Sequence, residues 1–427
     1  MISKPQRKIL STVSVIAILV ATATHADAHV SVTPLDGTEE TRAFATRLDG
    51  TPLRPNDFPF YGVRMADHAT GTVDEVGASK PATPLPEVPN RYDITFAEEC
   101  RKPENADKAQ TPGGWTVNHY KWCRAVNIVW QRIRFENGKP KIIREAAIDT
   151  TWLGHADARN RKFAFFSKTG RVVETVGNYE DDAKVLMVAE CSSAGTASSC
   201  TSHHIPASGV SIRDIKEERN NYFETVITDT SKENFNLPGD AVAPLNTWSQ
   251  FRGFGGTGHL GDDVAVAGNI ISSRCDSAKF RTTNACIFNN VTPFLTFDKN
   301  DLGYPVGELV DHIRYAQDVL HAPGRFKDGK PDGPPLTRNR STTRIQENRN
   351  AARAICRRDN PTGWKGTVVQ CDEYPMASTY EGANSGGPHS AKLINARHNR
   401  EGGTQLSNWY EWDRVLDRDK FYVELRG

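Results

Sequence analysis

Eight cysteines fall along this chain as four near neighbours: Cys100 with Cys123, Cys191 with Cys200, Cys275 with Cys286, and Cys356 with Cys371. No other feature limits the fold so strongly. In an exported chain an even set reads as disulfides. The simplest connectivity is Cys100–Cys123, Cys191–Cys200, Cys275–Cys286 and Cys356–Cys371, although sequence alone leaves others open. Zinc is the rival, but no Cys-x-x-Cys pair supplies the usual ligand spacing. The case for export sits at the N-terminus. Lys4, Arg7 and Lys8 precede an apolar run from Ile9 to Ala23, followed by the small-x-small site Ala26-Asp27-Ala28. That is the make-up of a secretory signal peptide over residues 1–28, with cleavage near Ala28. The run is too short and too interrupted for a good membrane anchor. The mature chain is therefore expected outside the cytoplasm, secreted or periplasmic, with no membrane span.

Residues 29–92 are rich in Pro, Gly, Thr and Asp, and Pro81, Pro84, Pro86 and Pro89 crowd together. Such density blocks helices and central strands alike, so an arm or linker is expected. Residues 93–300 carry short strand patterns. Ala125–Phe135 alternates apolar and polar residues, Asn137-Gly138 marks a two-residue hairpin turn, and Lys141–Ile148 returns. Phe163–Phe166, Val172–Val176, Val185–Ala189 and Phe223–Ile227 read as further strands. A disulfide-containing, sandwich-like β domain follows, with Trp115, Trp122, Trp130 and Trp152 packing its core. Gly253–Gly258 reads as a loop and lacks the strand-then-helix setting of a phosphate cradle.

Residues 301–427 change character, giving an α+β chain overall. Val306–Leu320 places Val306, Leu309, Val310, Ile313 and Ala316 on one helical face. After a Gly/Pro/Lys loop, Thr343–Arg358 reads as a second helix, with Thr343 and Gln346 as a capping box and Ile345, Ala352 and Cys356 as its buried edge.

The whole chain carries 53 Lys and Arg against 52 Asp and Glu. This excludes a generic polyanion binder, so any attraction to nucleic acid must be local. One local surplus exists. Arg344, Arg349, Arg353, Arg357 and Arg358 decorate the second helix, which suits either a solvated face or a surface that tracks phosphates.

Asp372 and Glu373 follow the last cysteine, and Pro375 is close behind. Neighbouring carboxylates on a regular strand point to opposite sides. In a loop pinned by a disulfide and a proline, both could reach one pocket, one binding a hard cation and the other holding or deprotonating a water. His203-His204 is a poor chelate for the same alternation reason, and no Gly-x-Ser-x-Gly elbow supports a serine hydrolase.

The segment Cys371-Asp372-Glu373-Tyr374-Pro375-Met376-Ala377-Ser378-Thr379-Tyr380-Glu381-Gly382 resembles the signature of the NucA/NucB family of secreted deoxyribonucleases. A second block, Asn399-Arg400-Glu401-Gly402-Gly403 through Trp409-Tyr410 and on to Val423, resembles the family's closing helix and final strand. The resemblance covers roughly residues 305–427. It implies a reduced ββα-metal (His-Me finger) nuclease domain over 301–427, in which an acidic residue replaces the usual histidine base. On that resemblance Asp372 and Glu373 supply the base and a metal-side carboxylate, their order left open. Asn399 and, more weakly, Asn408 are metal ligands, and Arg400 or Arg397 neutralises the phosphate. Arg344, Arg349, Arg353, Arg357, Arg397 and His398 are candidate DNA contacts. One divalent ion, Mg²⁺ or Mn²⁺, is the implied cofactor. His398 departs from the acidic residue that commonly precedes the helix Asn. Glu381 and His389, in the connecting loop, are read as structural.

The function expected is a secreted, metal-dependent endonuclease that hydrolyses DNA with little sequence preference. Two alternatives stand beside it. One is a non-catalytic protein that binds DNA or a surface polymer through a degenerate nuclease domain. The other is an exported nuclease toxin. A cell-surface or protein partner for the β-rich domain fits any of the three.

Overall fold

A computed structural model describes residues 37, 39–53, 60–63, 86–177, 182–195, 198–231, 242–255, 264–278, 284–362 and 368–427. The expected signal peptide, residues 1–28, lies outside the described residues, as do Pro81 and Pro84. Among those described, six helices are α1 (Ile94–Arg101), α2 (Ala106–Ala109), α3 (Ile212–Lys216), α4 (Gly307–Asp318), α5 (Thr342–Asp359) and α6 (Ala396–Trp412). Apart from two short 3₁₀ helices, Pro103–Asn105 and Ala383–Ser385, the remaining regular structure is strand, so the molecule is α+β and strand-rich.

The Asn-Gly signal is met at the backbone. Asn137 and Gly138 both take positive φ, 53° and 70°, and join Lys121–Glu136 to Lys139–Ala156 as a long antiparallel hairpin. This hairpin is the spine of the first sheet. Its strand order is Glu39–Thr46, Lys121–Glu136, Lys139–Ala156, Lys162–Val176, Tyr222–Asp229 and Cys200–Ile205. Lys162–Val176 is one continuous strand where the sequence suggests two. The second sheet runs Ala285–Phe288, Ile271–Asp276, Val242–Phe254, Lys184–Ser193 and Val210–Ser211. The inner faces meet through Trp130 against Phe251, and through Phe163 and Phe165 against Phe288. Trp122, Trp130 and Trp152 are buried in this core, while Trp115 packs at a smaller cluster beneath α1.

All four disulfides join the sequence neighbours. Cys100–Cys123 fastens α1 to the first sheet. Cys191–Cys200 links the two sheets, and Cys275–Cys286 spans a cross-strand pair within the second. Cys356–Cys371 joins α5 to the strand Val369–Tyr374.

Two boundaries differ from the sequence expectation. The arm contributes structure: Glu39–Thr46 is a strand of the first sheet, and Phe60–Val63 is an edge strand of a third. Thr292–Asp298, expected in the β domain, pairs in parallel with Lys420–Arg426 at the centre of that third sheet. Such long-range pairings leave no local pattern to read. The sandwich also grips the chain after α6. Arg414 lies 2.6 Å from Asp276 and Arg274 lies 2.6 Å from Asp419. Tyr120 Oη donates to Trp412 O at 2.8 Å.

α4 buries Leu309, Val310, Ile313 and Ala316 as expected, together with His312 and Gln317. It crosses α6 closely at Gly402, where a Cβ would lie 2.1 Å from Leu309 Cδ2. α5 starts one residue earlier than expected. Ser341, not Thr343, is its cap and accepts from Arg344 N, so the third helical position holds Arg344 and no capping box forms.

Candidate active site

The strand Val369–Tyr374 pairs antiparallel with Ser390–Asn395, which leads directly into α6. Asn395 caps α6, its side chain accepting from Arg397 N and His398 N. A strand–strand–helix unit thus places Cys371, Asp372 and Glu373 beside the first turns of α6. A cleft of about 820 Å³ opens there. Its walls include Asp372, Glu373, Gln370, Asn399 and Arg400, with Arg349 and Arg353 from α5 and Arg338, Asn339 and Arg340 from the segment before α5.

Asp372 and Glu373 sit on a regular strand, not in a pinned loop, so their side chains alternate. Asp372 is buried, and its Oδ2 lies 2.6 Å from Nδ1 of His312 on α4. The other ring nitrogen of His312 is 2.9 Å from Ser390 Oγ. Glu373 is half-buried on the opposite side, toward α5. Burial and the neighbouring Asp372 push its carboxyl up to about 7, against the opposing pull of Arg349 and Arg353. A carboxylate with that value exchanges a proton near neutral pH, as a general base must.

Asn399 donates Nδ2–H to Cys371 O at 3.3 Å and to Gln370 Oε1 at 3.4 Å. That fixes the amide against the strand and leaves Oδ1 as its acceptor end. Among the described residues no group of three or more His, Cys, Asp or Glu could hold a metal ion. The groups there that could hold a hard cation are the Asp372 carboxylate and the Asn399 amide oxygen, so such an ion would keep several waters, as Mg²⁺ does.

Of the residues singled out from sequence, Asp372, Glu373, Asn399, Arg400, Arg349 and Arg353 converge on the cleft. Asn408 does not line it. Nine residues beyond Asn399, about two and a half turns, it falls on the opposite side of α6. His398 is turned to the α4 terminus, where Nδ1 accepts from Glu308 N at 3.2 Å. Arg344 sits over the Tyr380 ring at 5.2 Å, while Arg357 and Arg397 are exposed outside the cleft lining. Glu381 accepts from Thr337 N at 2.9 Å, and His389 Nδ1 lies 2.7 Å from Gly387 O. His203 and His204 alternate along their strand, and only His204 approaches Glu190, at 3.5 Å.

Two sets of site residues escape a reading of the sequence. His312 looks like one more position on an amphipathic helix; its signal is a polar ring among apolar neighbours, which needs a buried partner. Arg338-Asn339-Arg340 falls between the expected loop and the expected helix. Its signal is the basic pair set immediately before a Ser cap. Buried Asn348 completes the frame, donating to Ala377 O at 2.9 Å and Thr379 O at 3.1 Å, which holds the chain beyond the site.

No curated protein and no solved structure matches the chain. Residues 326–424, which contain the hairpin, α5, α6 and most of the cleft lining, match the family model Deoxyribonuclease NucA/NucB.

Proposed function

We propose that the chain is a secreted, metal-dependent endonuclease that hydrolyses DNA phosphodiester bonds with little sequence preference. The observation that carries this is a half-buried carboxylate set in a basic cleft. Glu373, held near pH 7, faces walls bearing five arginines, Arg338, Arg340, Arg349, Arg353 and Arg400. Clefts of one charge sign concentrate ligands of the other, and phosphate contacts from arginine carry no sequence information. The strand–strand–helix layout around Asn399 supports a ββα-metal reading. Four disulfides support an oxidising, extracellular setting. No helix among the described residues is long and apolar enough to cross a membrane.

In this reading Glu373 takes a proton from water, and the water oxygen attacks phosphorus in line with the departing sugar oxygen. Arg400, with Arg349 and Arg353, stabilises the charge that gathers on the phosphoryl oxygens. Asp372, oriented by His312, and the Asn399 amide oxygen would hold a Mg²⁺ or Mn²⁺ ion, which when bound supplies charge neutralisation at the phosphate and the leaving oxygen.

Purified mature protein should nick plasmid DNA with Mg²⁺ or Mn²⁺ and stop on EDTA. Glu373→Ala should lose nearly all activity. If Glu373→Ala and Asp372→Ala both cut as fast as the parent, the site is misassigned. DNA binding with no cleavage under any divalent ion would instead favour a non-catalytic DNA-binding protein.

A further inference from the structure

We infer that Arg338, Asn339 and Arg340 form a second phosphate seat, which takes a backbone phosphate of the DNA strand away from the one being cut. This rests on the nuclease reading of the cleft. The three residues line the same cleft as Glu373 but belong to another element, the segment that enters α5.

Asn339 is the informative member. Its residue is 1% exposed. The backbone N–H donates to Ser378 O, and Oδ1 accepts from Ser341 N, each at 2.9 Å. Nδ2 is buried and, among the described residues, has no hydrogen-bond partner. A buried amide donor left unmet is costly, and in a native cleft it marks a position where an acceptor arrives.

The neighbours say what kind of acceptor. Arg338 is stacked 3.5 Å over the Tyr410 ring, which fixes its guanidinium in place. Arg340 is held by its backbone, whose N–H donates to Asp417 Oδ1 at 2.9 Å. The acids nearby are Asp417, Asp419 and Glu411, which attract these arginines; Asp419 also engages Arg274 at 2.6 Å and Asp417 accepts from Tyr380 Oη at 3.2 Å. The first turn of α5, directly after Ser341, adds the positive end of a helix dipole. One guanidinium held by stacking, a second on an anchored backbone, one unmet amide and a helix start suit a phosphate. At about 820 Å³ the cleft is large for a small-molecule pocket, so it has room for more than the scissile group.

The test is fluorescence anisotropy of a short labelled DNA duplex with the full mature chain, in EDTA, over a series of salt concentrations. Arg340→Gln should weaken binding three- to tenfold and flatten the slope of log K against log salt by about one, as loss of one phosphate contact requires. Asn339→Asp keeps the acceptor for Ser341 N, removes the donor and places a negative charge where the phosphate would sit; it should weaken binding by more than Arg340→Gln does, at some cost in melting temperature. Arg219→Gln, which follows α3 and lies outside the cleft lining, should leave affinity unchanged. Plasmid nicking with Mg²⁺ is scored on the same preparations. A parent that binds but does not cut, with both effects present, supports the seat and removes the nuclease reading. Parent-like affinity and slope in Arg340→Gln and Asn339→Asp overturn the seat alone. A parent that does not bind DNA overturns both.

Discussion

His312 Nδ1 lies 2.6 Å from Asp372 Oδ2, and the two side chains are 0% and 9% exposed. Nδ1 of the ring shares a hydrogen bond with that carboxylate, and Nε2 shares one with the Ser390 hydroxyl at 2.9 Å. The histidine is thus a positioning residue, fixing the rotamer of a carboxylate at the edge of the cleft. His312→Ala should lower kcat about 10- to 100-fold, the range seen when a partner behind a metal-binding group is removed. KM for DNA should move little, because the arginine walls stay in place. Leaving a buried carboxylate short of a donor should also cost roughly 1–3 kcal/mol, and His312→Asn should restore part of both losses. A parent-like kcat in a folded His312→Ala protein would remove the positioning role.

Glu373 makes a double prediction about pH. As the proposed base it must be ionised, so kcat/KM should rise with pH and then level off; the carboxyl is raised to about 7 in metal-free protein, and a bound cation would draw that midpoint lower. Stability should run the other way in metal-free protein. The folded carboxyl sits above its ordinary value of 4.5, so ionising it in the folded state carries a penalty. That penalty is absent below about 4.5 and complete above about 7, amounting to about 3 kcal/mol. Glu373→Gln should therefore melt higher than the parent at pH 8 and at the same temperature at pH 4, while losing activity at both. Urea unfolding at the two pH values reads this out. A substitution that destabilises at pH 8 would contradict it.

How much of this was legible depends on the range of the interaction. The disulfide partners are near in sequence, and Asn137-Gly138 dictates its own turn, so both are local facts. Leu309, Val310 and Ile313 announce a helix face by spacing alone. Asp372 and Glu373 misled in one respect: the disulfide and the proline suggest a loop, yet six residues pair in register with Ser390–Asn395. That pairing sends the two carboxylates apart and divides their roles. Sequence could not show that Asp372 meets His312, sixty residues away. Nor could it show that Phe60–Val63 and Thr292–Asp298 join one sheet, because parallel neighbours share no turn.

The Cys356–Cys371 bond sets the distance between the basic face of α5 and the strand that carries Glu373. It closes a loop of 15 residues, for which chain entropy gives about 3 kcal/mol. Replacing both cysteines by alanine should lower stability by about that amount. Because Arg349 and Arg353 face Glu373 across this link, KM for DNA should rise more than the stability loss alone explains. Salt titration separates the two effects, since a displaced α5 reduces the dependence of KM on salt. An unchanged KM in the folded double variant would make the bond purely a matter of stability.

The grip of the sandwich on the chain after α6 decides whether the nuclease-like region can stand alone. Asp276, in the second sheet, binds Arg414 at 2.6 Å with both side chains almost wholly buried. Arg414 Nη2 also donates to Ala278 O at 2.9 Å. Removing one partner of such a pair leaves a buried charge uncompensated and typically costs about 3–5 kcal/mol. Asp276→Ala should therefore destabilise the whole chain, although it lies far in sequence from the cleft. The same logic applies to a fragment of residues 301–427. It lacks Asp276 and also lacks Thr292–Asp298, the strand on which Lys420–Arg426 is laid. Such a fragment should be poorly folded by circular dichroism and inactive on plasmid DNA, whereas the full mature chain should be folded. A fragment with a cooperative melt and parent-like cleavage would show that the sandwich contributes nothing to the cutting site.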